Sequence, residues 1–478
     1  MIIYDRLYVG GAWADPSEDK PIEVRSPHDQ SLVGRAAQAG PADVDAAVAK
    51  AREAFDHGPW PRLRPEERQA VVARFSELHA ARADEIADLI TAENGSARWF
   101  TRMLQPSLAE QTAAYLRAAR ELPWEERVGN SDGPGAIVRR EAVGVVAAVI
   151  PWNAPHQSAL VKMVPALLAG CAVILKASPE TALDALLLAE IFDAAGLPEG
   201  VVSILPADRE TSEYLVSHPG VDKIAFTGST AAGRRIAAVA GERLKRVSLE
   251  LGGKSAAIIL DDADLDLVVE TLKFATFGNN GESCGGLTRV LAPRGRYEEV
   301  VSALAAMAES LTVGDPSSPD THIGPMVRPG QRERVQGYIR TGIEEGARLV
   351  TGGPETPAGL EGGNYVRTTV FADVDNSMRI AQEEIFGPVV CVIPFDDDDD
   401  AVRIANDSPY GLGGAVWGAD QERAMEVARR VRTGTLSVNS AMFSFDAPFG
   451  GYKASGVGRE FGAAGLAQYL ELKSIAVA

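Results

Sequence analysis

Cysteine is scarce in this chain, with three residues in 478, too few for a disulfide framework, so a reducing compartment fits. No basic stretch followed by a long apolar one opens the sequence, so no leader peptide is expected and the chain reads as cytoplasmic. No apolar run approaches the ~20 residues needed to cross a bilayer, and no membrane partner is expected. The six histidines (His28, His57, His79, His156, His218, His322) are scattered without a pair at metal-ligand spacing, which gives no zinc site and no metal. Basic residues are in deficit: a net charge of -19 repels a phosphate backbone and argues against nucleic acid or an anionic membrane surface. Aromatics make up 6% of a composition that is 46% hydrophobic, so the core is largely aliphatic. No G-x-G-x-x-G follows any expected strand, and no internal repeat or low-complexity linker is visible.

What is present is an α/β pattern long enough for two or three domains. Strands near 144 to 150, 171 to 176, 201 to 205, 223 to 227 and 246 to 250 alternate with helical stretches, as in a parallel sheet with crossover helices. A second alternating region begins after about residue 253 and runs through Ser255 to Leu260, Val290 to Ala292, Thr369 to Phe371, Val389 to Ile393 and Ala415 to Trp417. The run Asp261 to Asp266 superficially matches a calcium loop, but Leu267 stands where glycine is required and Lys273 where the bidentate glutamate is. It is better read as the acidic first turn of a helix, as is Asp396 to Asp400.

Three distant segments each offer part of a carbonyl-oxidising site. In Gly281-Glu282-Ser283-Cys284-Gly285-Gly286 a thiol has little bulk around it and backbone amides free to approach a ligand, although an incidental cysteine can look the same. Cys171 and Cys391 lie in apolar strand-like runs, where a thiol behaves as a small hydrophobe. In Val247-Ser248-Leu249-Glu250-Leu251-Gly252-Gly253-Lys254 a carboxylate ends an apolar strand. Burial would raise its pKa toward the range of a general base, unless it is an ordinary strand-edge glutamate. A phosphate loop is excluded there, because Ser248 occupies the position of its first glycine. In Ile150-Pro151-Trp152-Asn153-Ala154-Pro155 two prolines hold Asn153 in a rigid loop, where its amide could donate to an oxyanion or simply form the turn.

Order, spacing and local sequence of these segments resemble the aldehyde dehydrogenase superfamily over nearly the whole chain. The resemblance extends to Ile174-Leu175-Lys176-Ala177-Ser178-Pro179-Glu180, Phe226-Thr227-Gly228-Ser229-Thr230 with Gly233, Glu383-Glu384-Ile385-Phe386-Gly387-Pro388, and Pro448-Phe449-Gly450-Gly451-Tyr452-Lys453-Ala454-Ser455-Gly456. It implies an α/β fold with a Rossmann-like cofactor domain (1-119 and 143-252), an α/β catalytic domain (253-455) and a small β oligomerisation extension (120-142 and 456-478). It implies NAD, with NADP possible, held by Trp152, Lys176, Ser178, Glu180, Gly228, Ser229, Gly233, Leu251, Glu384 and Phe386. The Cys284 thiolate would attack an aldehyde, Asn153 and the Cys284 backbone N–H would hold the oxyanion, and Glu250 would activate the water that hydrolyses the thioester. The site would have to favour the thiolate, through backbone dipoles, the nicotinamide charge or Glu250.

One departure concerns the cofactor. Many NAD-preferring members carry a glutamate three residues after the matching lysine, where Pro179 stands here, and Glu180 comes one residue late. Ala154 and Val161 fall where many members carry bulky aromatics, Phe443 and Phe449 supply rings opposite, and Ser283 and Gly285 flank the thiol. An open, uncharged funnel of this kind fits an aromatic or medium aliphatic aldehyde. The alternatives are a coenzyme A acylating dehydrogenase, whose members generally lack the matching glutamate, and a non-catalytic scaffold. Gly135 to Arg140 and Tyr469 to Val477 resemble the family's oligomerisation strands and imply a homo-oligomer, a dimer or a tetramer of two dimers.

Overall fold

The structure, a computed structural model, describes residues 1–129 and 135–477. Its first sheet has eight strands, with five parallel strands at the centre in the order Arg246–Glu250, Lys223–Thr227, Val145–Val149, Ala172–Ala177, Val202–Pro206. The central strand reads Val-Val-Ala-Ala-Val and is buried throughout, the continuous apolar run required when helices cover both faces. One face packs on the helices Pro65–Ala80, Pro155–Ala169 and Ala182–Ala195, the other on Pro41–Asp56 and Thr230–Glu242. Helix Pro155–Ala169 starts with proline at its first turn and stops at Gly170, whose φ of 99° closes it in the left-handed region.

The strand order reverses at Val145–Val149. Successive strands lie to one side of it and later ones to the other, so their connections diverge and leave a crevice beyond the carboxyl ends. Asn153, Lys176, Gly228 and Glu250 all follow or end these strands.

The second sheet has seven strands. Six are parallel, in the order Thr369–Ala372, Val389–Phe395, Arg289–Pro293, Ala256–Ile259, Gly414–Trp417, Ser437–Val438, and Arg348–Thr351 pairs antiparallel at one edge. The acidic runs cap helices as read from the sequence. Asp264 accepts from Asp266 N and Leu267 N to start Leu265–Phe277, and Asp397 accepts from Asp400 N to start Asp398–Asn406.

A three-stranded antiparallel sheet joins Leu470–Val477, Gly135–Ala142 and Glu125–Gly129. The expected extension contains these strands, while its residues 130–134 and 478 lie outside those described. Gly456–Val457, assigned to that extension from sequence, instead pairs with Arg246–Glu250 as an edge of the first sheet. A further small sheet of Ile2–Tyr4, Leu32–Ala37 and Pro21–Arg25 was not read from the sequence. Among the described residues no helix is long and apolar enough to cross a membrane, and no cluster of His, Cys, Asp or Glu could hold a metal.

Candidate active site

Helix Leu265–Phe277 ends in the turn Gly278–Gly281, which delivers Glu282, Ser283 and Cys284 into the space between the two sheets. Cys171 and Cys391 are fully buried, whereas Cys284 keeps some accessible surface. Its loop lies on the Gly252-Gly253 turn so closely that a Cβ on Gly253 would stand 2.6 Å from the Cys284 carbonyl oxygen. Desolvation pushes the thiol up to about 12, and the carboxylates of Glu384, Glu250 and Glu460 add to the shift. Both effects work against the thiolate, the form that backbone dipoles, the nicotinamide charge or Glu250 would have to favour.

Glu250 ends its strand 4% exposed, and neither carboxylate oxygen has a hydrogen-bond partner. Gly450, at φ +148°, gives it room, since a Cβ there would come within 2.6 Å of Oε1. Burial and then the Glu460 charge hold Glu250 well above the usual carboxylate range, opposed by Lys162 and Arg459. The Gly451 amide opposes the shift as well without completing a hydrogen bond. Lys162 is fully buried in helix Pro155–Ala169 and donates to Glu460 Oε1 at 2.6 Å and to Thr227 Oγ1. An ammonium so enclosed is tolerable only because it is paired, and removing one partner of such a pair costs about 3–5 kcal/mol.

Asn153 Nδ2 donates to the backbone oxygen of Glu282 at 2.9 Å, which seats its amide beside the thiol loop. The Trp152 carbonyl before it accepts from Asn94 Nδ2 at 3.1 Å. Trp152 meets Phe386 edge-to-face, with centroids 5.6 Å apart, and Phe386 holds a φ of 63° while its carbonyl accepts from Gln331 Nε2 at 2.6 Å.

The residues expected at a cofactor lie at or near the ends of strands. Lys176 is buried at the end of Ala172–Ala177, and desolvation lowers its amine to about 8. Ser229 caps helix Thr230–Glu242 by accepting from Ala232 N at 3.3 Å, beside Gly228, whose amide bonds Glu250 O at 3.0 Å. Gly233 packs against the Leu251 side chain. Glu384 Oε1 accepts from Gly253 N at 2.9 Å. Glu180 stands apart: its carboxylate accepts from the Ser178 hydroxyl and pairs with Arg328 Nη1 at 2.6 Å.

Phe443 and Phe449, expected at the substrate, are joined by Phe445 and Phe461, neither singled out from sequence, in a cluster with ring centroids 5.0 to 5.8 Å apart. Ala154 lines a cavity of about 20 Å³ with Asn153, Leu108 and Gln157. Val161 is 3% exposed and belongs to the core on which Phe445 and Phe449 pack. Ser283 is partly exposed beside the thiol. Near the aromatic loop Arg117 is held by Asp446 at 2.9 Å and Glu110 at 2.7 Å.

The sequence profile of the Aldehyde dehydrogenase family matches residues 13–475. The chain belongs to the aldehyde dehydrogenase family. It is 44% identical over 475 residues to the geranial dehydrogenase of Castellaniella defragrans, covering 99% of both chains. It superposes at a TM-score of 0.97 on a Mycobacterium tuberculosis aldehyde dehydrogenase complexed with NAD+, with 47% identity over 100% of this chain and 98% of that one. A cysteine-to-alanine mutant of Pseudomonas syringae aldehyde dehydrogenase C, complexed with NAD+ and octanal, matches at a TM-score of 0.95 and 42% identity over 98% and 96% of the two chains. As an aldehyde dehydrogenase, the chain oxidises an aldehyde to a carboxylic acid with a nicotinamide cofactor.

Sequence reading singled out neither Lys162 and Glu460, whose charges act on Glu250, nor Arg328, which holds Glu180. Lys162 had a signal, a lone charge inside Leu160-Val161-Lys162-Met163-Val164, which an all-buried helix tolerates only with a partner.

Proposed function

We propose that Cys284 is the nucleophile of this dehydrogenase, Glu250 its general base, and the Asn153 amide with the Cys284 backbone N–H its oxyanion donors. The observation that carries the reading is the convergence of all three on one recess: Asn153 bonds the carbonyl two residues before Cys284, and Glu250 is buried without a partner where it raises the thiol's pKa. The Cys284 thiol gives up its proton, with Glu250 as acceptor, and its sulfur bonds the aldehyde carbon. The developing oxyanion takes hydrogen bonds from Asn153 and Cys284. Bound in the crevice by Lys176, Ser178, Gly228, Ser229, Gly233, Leu251, Glu384, Phe386 and Trp152, the nicotinamide cofactor would accept the hydride. Glu250 passes that proton to solvent and then takes one from the water that attacks the thioester, and Cys284 leaves as the thiolate and regains a proton from Glu250 as the acid is released.

NAD is the proposed cofactor, with NADP accepted. Pro179 places no carboxylate where many relatives have one, and Glu180 is already engaged by Arg328 and Ser178. The proposed substrate is an uncharged aromatic or medium aliphatic aldehyde. Four phenylalanines, the small Ala154, and the carboxylates that already neutralise Arg117 and Lys162 support an apolar tail over a distal carboxylate. The octanal and geranial named for the relatives have that character. The proposed division into cofactor, catalytic and extension domains is supported by the eight-stranded sheet, the seven-stranded sheet and the three-stranded sheet of Leu470–Val477, with Gly456–Val457 moved from the extension to the first of these. Exposed Leu472 and Ile475 on the strand Leu470–Val477 support a dimer or tetramer, and three free cysteines support a cytoplasmic setting.

The test is formation of reduced nicotinamide with an aldehyde panel, with NAD and NADP separately. Turnover with octanal that disappears in Cys284→Ala supports the reading. A requirement for added coenzyme A would replace water with a thiol as the second nucleophile and remove the role given to Glu250.

A further inference from the structure

The turn before the thiol holds two buried asparagines that this mechanism leaves unused. Asn279 and Asn280 adopt successive left-handed conformations, with φ/ψ of 54°/39° and 60°/20°. That backbone disfavours any residue with a Cβ, so if shape alone mattered glycine would serve better. What glycine lacks is the amide. Asn279 Nδ2 donates to the Asn153 carbonyl at 2.8 Å and to the Glu282 carbonyl at 3.1 Å, while its Oδ1 accepts from the Ser96 hydroxyl. The Glu282 carbonyl also receives the Asn153 side chain. One acceptor, two residues before Cys284, is therefore shared by an amide aimed at the reaction and another that is not. Asn280 fastens the back of the turn to Gly95 O at 2.9 Å, Pro325 O at 3.1 Å and Gly324 N at 2.7 Å, so the anchoring is independent of substrate.

We propose that Asn279 is a positioning residue that sets the register between the Asn153 amide and the Cys284 thiol, two groups brought together from loops far apart in sequence. The inference rests on the roles given above to Asn153 and Cys284. An oxyanion donor works only within about 2.7–3.1 Å of where the charge develops, and no other side chain among the described residues bonds both loops at these two carbonyls.

The experiment compares wild type, Asn279→Gly and Asn279→Asp in two reactions with NAD+ present: oxidation of octanal, and alkylation of Cys284 by iodoacetamide. Alkylation forms a sulfur–carbon bond as iodide leaves and generates no oxyanion, so it reports the thiol alone. Asn279→Gly keeps the turn and deletes the amide; Asn279→Asp keeps the acceptor for Ser96 and deletes both donations, and it carries the test if the glycine variant does not fold. The expected result is a fall of ~10²-fold in kcat/KM for octanal, with the alkylation rate and its pH profile near wild type. In the Asn153→Ala background, Asn279→Gly is expected to cost little more. An unchanged kcat/KM, an equal loss of alkylation, or full additivity with Asn153→Ala would overturn the proposal. Activity surviving in Cys284→Ala would instead sink the underlying mechanism.

Discussion

The two large sheets have similar parallel cores yet meet the cleft with opposite ends. The first presents the carboxyl ends of its strands, where Asn153, Lys176, Gly228 and Glu250 lie. The second presents the amino ends: Gly252-Gly253 precedes Ala256–Ile259, Cys284 precedes Arg289–Pro293, and Glu384 to Phe386 precede Val389–Phe395. Its carboxyl ends run instead into exposed acid and arginine, with Asp261 and Asp398 each 2.6 Å from Arg423, and Asp396 2.6 Å from Arg294. The general rule that ligands bind beyond carboxyl ends therefore describes half of this molecule. The other half gains its function by being the next segment after Glu250, its first strand beginning after only five connecting residues, two of them glycine.

If the amino ends of the second sheet carry the chemistry, the largest effect belongs to Cys284→Ala, which should lower turnover by ~10⁴-fold or more while leaving cofactor binding intact by fluorescence titration. Turnover within tenfold of wild type would break the comparison on that side. Glu250→Gln, on the first sheet, should cost ~10²–10⁴-fold in kcat and convert the progress curve to one rapid turnover followed by a slow phase, read by stopped flow. The pH dependence has a definite sign. Glu250 and Cys284 must each lose a proton to act, and each is held above its ordinary value, so kcat should rise as pH rises through the alkaline range. Stability runs the other way for Glu250: a carboxyl whose folded pKa lies above its unfolded one favours folding at low pH and less as pH rises through it, so the glutamine variant should not melt below wild type at neutral pH.

Arg289→Met tests the same amino ends for structure. The guanidinium is 2% exposed and bonds Lys254 O, Asn376 Oδ1, Ile404 O and Ala405 O at 2.9 to 3.0 Å. Stranding these acceptors should cost at least about 3 kcal/mol in denaturant unfolding. The smallest effect is expected at the solvent-facing carboxyl ends, where Arg423→Gln should change stability by no more than about 1 kcal/mol and leave kcat/KM unaltered. A loss of activity there would place function at both ends of the second sheet.

The strands of both sheets were legible because a buried parallel strand writes itself as a short apolar run between glycine, proline and acid. Glu250 stood out because it ends such a run with a carboxylate, Asn153 because two prolines bracket it just after one, and Cys284 because it sits between serine and glycine outside any run. What was not legible depends on meetings across the chain. Lys162 and Glu460 are separated by 298 residues, Glu180 and Arg328 by 148, and nothing in either local sequence states the pairing. Asn279 lies five residues before the thiol, but its importance is set by where the Asn153 loop folds back. The end of each strand at which the second sheet would work was equally hidden, since periodicity has no direction.

The setting of Cys284 bears on more than turnover. Peroxides and electrophiles attack thiolates, and burial among the carboxylates of Glu384, Glu250 and Glu460 pushes the thiol up, away from that form. The surroundings that oppose the first chemical step therefore also oppose the oxidation of the sulfur, and both reactions draw on the same small fraction of thiolate.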